Sequence, residues 1–324
     1  GTIAFCAKKV QRDLDERKVP LMGVLGAFIF AAQMINFTIP ATGSSGHLGG
    51  GMILAILLGP YAGFLTIASV LTVQALFFAD GGLLALGCNI FNLGVFPCFI
   101  AYPLIYKPIA GHGANLRRLG IGATLAGIVG LQLGALAVVS ETVLSGISAL
   151  PLRDFLAAML PIHLAIGLVE GLVTTAVISF VWKARPEILA ASAASRPLGD
   201  LSFRKVLGGL AVAAVLTGGV LSWFASSFPD GLEWSMAKTS GQEELAPPPS
   251  PLYTKLADIQ EQTALLPDYS FRSSATKTDV HEESVSSWPA VDPGTTTSGL
   301  VGGSLTLLLA VVIGWAFRRR SIAR

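Results

Sequence analysis

Apolar runs of about 20 residues or more recur along this chain, the length an α-helix needs to cross the ~30 Å hydrocarbon core of a bilayer. Backbone N–H and C=O groups in lipid must be satisfied inside the spanning segment, so runs of this length predict helices. The strands of a membrane barrel would be shorter and would alternate apolar with polar residues. Composition agrees with this reading. Of 324 residues, 52% are apolar and 13% charged, with a mean hydropathy of +0.65, whereas charge is nearer a quarter in soluble domains. The predicted fold class is therefore all-α, a polytopic transmembrane helical bundle.

Gly1 to Ala7 is a short apolar piece stopped by KKVQRDLDERK, read as the end of a first helix that begins before Gly1. Val19 to Ile39 is the first complete span, and Pro40 opens the turn ATGSSG that leads to His47. From Leu48 the apolar run breaks at Gly59-Pro60 and resumes to Phe78, with Asp80-Gly81-Gly82 closing it. Leu83 to Tyr106 carries Gly87, Asn89, Asn92, Gly94, Pro97 and Pro103, which predicts an irregular or kinked helix beside a polar interior. Leu119 to Val139 and His163 to Trp182 are further spans, joined by a mixed connector from Glu141 to Asp154 with room for an interfacial helix. The large part, 1–184, thus has seven spans, the first truncated. Small residues and prolines in PEILAASAASRPLGD predict a linker over 185–203. The smaller part, 204–324, has spans at Val206 to Phe224 and Leu300 to Phe317. The roughly seventy polar, acidic, Pro/Ser/Thr-rich residues between them are predicted to lack a core of their own and to be partly disordered.

Seventeen of the 22 Lys and Arg residues fall in Lys8 to Lys18, Lys107 to Arg118, Lys183 to Lys205 and Arg318 to Arg324. Alternating spans put all four segments on one side, which the positive-inside rule makes the cytoplasmic side of a prokaryotic cell membrane. His47, Asp80, Glu141, the start of the His163 helix and the polar loop then face outside, and the C-terminus lies inside. The cations flank apolar runs without forming a continuous basic face, so lipid is an expected partner and nucleic acid is not. Cys6, Cys88 and Cys98 lie in or beside apolar runs with no CxxC, and read as small buried hydrophobes.

The chain has no GxxxxGK[ST] phosphate cradle, so ATP hydrolysis is not expected of it. HExxH and a strand-to-helix GxSxG are missing too, which weakens hydrolase readings. The polar residues left inside the apolar runs are Asn36, His47, Gln74, Asn89, Asn92, His163 and Glu170. Such residues are costly in a membrane and usually functional. His47 stands in a Gly/Ser-rich turn. Its imidazole is either a ligand for a late first-row divalent ion, with glycines letting backbone approach closely, or a hydrogen-bonded interface histidine. One imidazole cannot hold such an ion, so other ligands must come from elsewhere. His163 and Glu170, two helical turns apart, share a face. Hydrogen bonding between helices is the simpler role for them, with metal ligation or the acid–base pair of an intramembrane hydrolase as alternatives. Asn89 and Asn92 also share a face and, with Gln74, would brace a pocket; His112 and His281 read as solvated loop residues.

NFTIPATGSSGHLGGG, ILLGPYAG, VQALFFADGGLLALGCNIFNLG and IHLAIGLVEGLVT resemble the CbiM/NikM family, membrane-embedded substrate-capture subunits of energy-coupling-factor nickel and cobalt transporters. FPDGLE at Phe228 to Glu233, LLPDYSF at Leu265 to Phe271 and the last span are similar to the small partner NikN, the PDGLE domain. Nearly the whole chain thus resembles a fused NikMN-type protein. The resemblance implies capture of Ni²⁺ or Co²⁺, with fusion favouring nickel, no resident cofactor, and delivery to a transmembrane coupling protein and cytoplasmic ATPases. It implies a near-planar, nitrogen-rich site made by the N-terminal amine, the next backbone nitrogen, the imidazole of a second-position histidine, and the histidine of the GHL motif. The last is His47; the others have no counterpart from Gly1 onward. Such donors suit Ni²⁺ or Cu²⁺ and disfavour ions that prefer oxygen, such as Mg²⁺. Ser44, Ser45, Gln74, Asn89, Asn92 and His163 are expected around His47 as hydrogen-bonding support. The small part is implied to assist ion loading or coupling, its acidic loop offering a steering surface. A membrane enzyme without ATPase partners, or a scaffold without metal, leaves the ordered motifs unexplained.

Overall fold

Residues this apolar form helices wherever proline or glycine does not interrupt them, and the breaks in the sequence set most of the helix ends. The computed structural model describes residues 1–13, 18–111, 115–146, 150–194, 196–198, 202–243, 245, 249–272 and 288–322. Helix α1 (Thr2–Asp13) is followed by α2 (Lys18–Gln33), a hairpin of β1 (Phe37–Ile39) and β2 (Ser44–Gly46), α3 (Gly51–Leu58) and α4 (Pro60–Phe77). Next come α5 (Leu86–Ala110), α6 (Leu116–Ser145) and α7 (Leu152–Ala184). Helices α8 (Pro186–Ala193) and α9 (Arg204–Gly219) lead to α10 (Gly231–Ser240), α11 (Pro251–Thr263) and α12 (Pro293–Ile322).

Five of these helices, α4 to α7 and α12, are long and apolar enough to cross a membrane. The other apolar runs form shorter helices. Helix α1 has 12 residues and buries Cys6 and Val10. The run from Val19 to Ile39 does not stay helical: α2 stops at Gln33, and the last residues of the run pair as strand β1. Helix α3 has eight residues between two positive-φ glycines, Gly50 and Gly59, and α9 has 16. Elsewhere polar residues extend the helices. Helix α6 continues to Ser145, so Glu141 is helical and not in a connector, and α7 begins well before His163. Helix α5 is wound in wide i→i+5 turns from Phe91 to Tyr106, with Pro97 and Pro103 inside, which is the irregularity the prolines predict.

Phe30, Phe64, Phe78, Met52 and Ile53 are fully buried in the main core between α2, α3 and α4. Helices α6 and α7 touch backbone to backbone: a Cβ on Gly171 would stand 2.5 Å from Thr124 Cα, the close approach that small residues permit in membranes. Part of the stretch read as a linker is helical, since α8 buries Ile188 and Leu189, and Ser192 Oγ donates to Ile56 O in the last turn of α3 (2.7 Å). Helix α12 packs along α2. The polar stretch between α9 and α12 docks on the mouth of the bundle: Pro229 O accepts from Ser45 N–H (2.8 Å), Phe77 O from Leu265 N–H (2.8 Å) and Phe78 O from Asp268 N–H (2.9 Å). Of the stretch expected to be partly disordered, 273–287 lie outside the described residues.

Candidate functional site

The turn before His47 is built by short-range bonds. Thr42 Oγ1 donates to Ile39 O (2.8 Å) and accepts from Ser44 N–H (3.0 Å), which brings Phe37 opposite Gly46 and Ile39 opposite Ser44. The hairpin then leans on α7. A Cβ on Gly46 would lie 2.4 Å from Ile166 Cγ1, so Ile166 occupies the place a side chain would take, directly before His47.

Glu170, on the same face of α7, holds the chain on the other side of His47. It is 2% exposed, and its carboxylate accepts from Gly49 N–H (2.9 Å) and from Gly50 N–H (3.0 and 3.2 Å). Gln33 Nε2 donates to Gly49 O (3.0 Å). Gly50 is left-handed (φ 75°), and a Cβ there would stand 2.5 Å from Ile29 Cγ2, so both the conformation and the space require glycine. The carboxylate sits at the start of α3, where the unpaired N–H groups of a first helical turn favour an anion. Ile166 and Glu170 thus bracket the histidine from one rigid helix.

His47 Nδ1 is 3.1 Å from Leu48 O, and His163 Nδ1 is 2.8 Å from Met159 O. A carbonyl only accepts, so in each neutral ring Nδ1 carries the proton and Nε2 keeps its lone pair. Both histidines line one cavity of about 470 Å³. Gln74, Asn89 and Asn92 line it as well, each with its NH₂ group engaged: Gln74 by Tyr269 Oη (3.3 Å), Asn89 by Gly81 O (3.0 Å), Asn92 by Glu141 Oε2 (2.9 Å). Asn36 is also in the wall. Ser44 and Ser45 do not reach the cavity; they are wholly buried, and Ser45 Oγ donates to Phe228 O (2.8 Å), joining the hairpin to the C-terminal part. Glu170 and His163 share a face but form no acid–base dyad, since their bonds go to the Gly49 and Gly50 amides and to Met159 O. His112 and His281 lie outside the described residues. Among the described residues, no three His, Cys, Asp or Glu side chains converge as a metal-binding group.

Residues of the C-terminal part also line the cavity, and sequence reasoning did not place them there. Asp230 Oδ1 accepts from Leu232 N–H (2.8 Å) and Glu233 N–H (2.9 Å), while Glu233 Oε2 accepts from Asp230 N–H (2.9 Å). This reciprocal cap is legible as D-x-x-E before a helix; that it faces the cavity is not. Tyr269 is also in the wall. It stacks on Phe78 (5.3 Å between centroids, 23° between planes), donates its hydroxyl to Asp80 and accepts from Gln74. Burial, reinforced by the Asp80 charge, pushes its phenol well above the ordinary range. Its partner Asp80 lies 189 positions away, a distance no local signal spans.

Residues 1–188 match the CbiM family, described as a cobalt uptake substrate-specific transmembrane region, and residues 204–319 match the PDGLE domain. A putative fused nickel transport protein NikMN of Archaeoglobus fulgidus is 33% identical over 320 residues, covering 96% of this chain and 91% of its own length. The fused nickel transport protein NikMN of Rhodobacter capsulatus is 32% identical over 288 residues, 81% of this chain and 80% of its own. The cobalt transport protein CbiM of Geobacter sulfurreducens is 31% identical over 179 residues, 53% of this chain and 49% of its own. With an apolar helical bundle and both domain types matched in order, the chain belongs to the CbiM family, continued by a PDGLE domain.

Proposed function

We propose that this protein captures Ni²⁺ or Co²⁺ at the outer face of a prokaryotic cell membrane and delivers it to a transmembrane coupling protein powered by cytoplasmic ATPases. His47 binds the ion through Nε2. The observation that carries this reading is the way its ring is held, with Nδ1 tied to Leu48 O, Nε2 free of any partner among the described residues, and the turn fixed by α7 on both sides, in the wall of a cavity between the two parts of the chain. The relatives are named for nickel and cobalt, which supports the choice of ion; the fused arrangement favours nickel. The family resemblance supplies the remaining donors as the N-terminal amine, the next backbone nitrogen and the imidazole of a second-position histidine, and such donors discriminate against oxygen-preferring ions. Gln74, Asn89 and Asn92 brace the wall, and Ser44 and Ser45 fasten the hairpin from behind.

In this reading residues 1–184 capture the ion, 185–203 connect, and 204–324 assist loading. The clustering of Lys and Arg in four segments that alternating spans would bring to one side supports, by the positive-inside rule, a cavity outside and a C-terminus inside. Calorimetric titration of the full-length protein with Ni²⁺ tests the ligand. Tight binding is expected, to be lost in His47→Ala and weakened by acid as protons compete for imidazole. Unchanged affinity in His47→Ala would remove this residue from the site.

A further inference from the structure

The role given to His47 leaves His163 unexplained. This second imidazole stands on α7, its Nδ1 tied to Met159 O at 2.8 Å and its Nε2 lone pair unused among the described residues. The turn that opens α10 lies against the ring: a Cβ on Gly231 would be 3.0 Å from His163 Cε1, the carbon that adjoins Nε2, and 2.9 Å from Ile162 Cγ2. Any side chain larger than glycine's hydrogen would lift the turn away. Asp230 immediately precedes it and acts electrostatically on His163, as does His47. All three line the same cavity. The capping bonds of Asp230 use Oδ1 and leave Oδ2 out.

An imidazole nitrogen and a carboxylate oxygen, one from each part of the chain, are a donor pair suited to a divalent first-row cation. Among the described residues no third ligand-type side chain joins them, and two protein donors alone would hold an ion only loosely. Asp80, Glu233 and Asp268 in the same wall make the approach negative, which concentrates cations at it. We propose that His163 and Asp230 form a transient binding point at which the incoming cation exchanges part of its water shell before it passes to His47. The proposal rests on the reading of His47 as the final ligand, and it gives the contact between the two parts a chemical role in loading.

A binding point on the path lowers the barrier in both directions, and that is its kinetic signature. Stopped-flow mixing of the purified full-length protein with NiCl₂, paired with calorimetry, reads it. In His163→Ala, both the association and dissociation rate constants are expected to fall by about tenfold, with Kd unchanged. Asp230→Asn keeps an oxygen for the α10 cap but removes the charge. It leaves α7 untouched and is expected to slow both rates in the same proportion. A raised Kd with faster dissociation would make His163 a ligand or support of the final site and overturn the proposal; rates equal to wild type in both variants would overturn it as well. His47→Ala separates the two readings: retained tight binding there refutes His47 whatever the rates in the other variants.

Discussion

Glu170 offers the sharpest test of how the capture turn is held. Among the described residues its carboxylate alone accepts from the Gly49 and Gly50 amides, at 2.9 and 3.0 Å, and it is almost wholly buried. Glu170→Ala leaves two buried N–H donors without a partner, each costing roughly 1–3 kcal/mol. If the turn recovers part of this by rearranging, a net ~3 kcal/mol remains against the binding-ready conformation, equivalent to a factor of about 100 in its population. Apparent affinity scales with that population, so the Kd for Ni²⁺ is expected to rise by up to ~100-fold. Glu170→Gln retains one oxygen for one amide and sets its NH₂ against the other, so an effect of about tenfold is expected from one lost bond. The assay is Ni²⁺ calorimetry together with amide hydrogen exchange at Gly49 and Gly50, which should lose protection in step with affinity. Wild-type affinity in Glu170→Ala, with both amides exchanging quickly, would refute the link between the carboxylate clamp and the histidine.

Two further predictions concern the C-terminal part. Tyr269→Phe keeps the stacking on Phe78 but removes the hydroxyl bonded to Asp80 and Gln74, at a cost of about 1–3 kcal/mol, and should raise protease sensitivity around Leu265 to Phe271. Because burial and Asp80 raise its phenol in the folded state, the contact stabilises fully below the ordinary tyrosine value of about 10 and is lost as pH climbs through the folded value. Thermal unfolding in alkali should therefore show a stability loss in the wild type that is reduced in Tyr269→Phe. Asp292 opens α12, accepting from Thr295 N–H (2.7 Å) and Thr295 Oγ1 (2.8 Å). Burial alone would raise its carboxyl, but these bonds and one from the Gly294 amide hold it below the usual range. Its stabilisation is complete above about pH 4 and fades as pH falls through the folded value. Asp292→Ala should cost about 1 kcal/mol at neutral pH, read as a lowered melting temperature that converges with wild type in acid.

The length of an apolar run, a proline within it and a D-x-x-E cap are properties of neighbouring residues, and from these alone the helical membrane class, the irregular winding of α5 and the start of α10 can be read. The Gly/Ser-rich turn that carries His47 is local in the same sense. Other features have causes far away in the chain. Val19 to Ile39 looks like one span, but its end becomes β1 by pairing with β2, which is in turn fastened to Pro229. Glu170 resembles a polar residue seeking a partner on another helix; its partners are backbone amides 120 and 121 positions back, and an amide bond leaves no mark in residue type. The cavity is walled in part by the polar stretch after α9, which finds hydrogen-bond partners and aromatic contacts on the mouth of the bundle. Which polar side chains meet there depends on folding around the bundle, because hydrogen bonds are directional and become available only when distant segments are brought within about 3 Å.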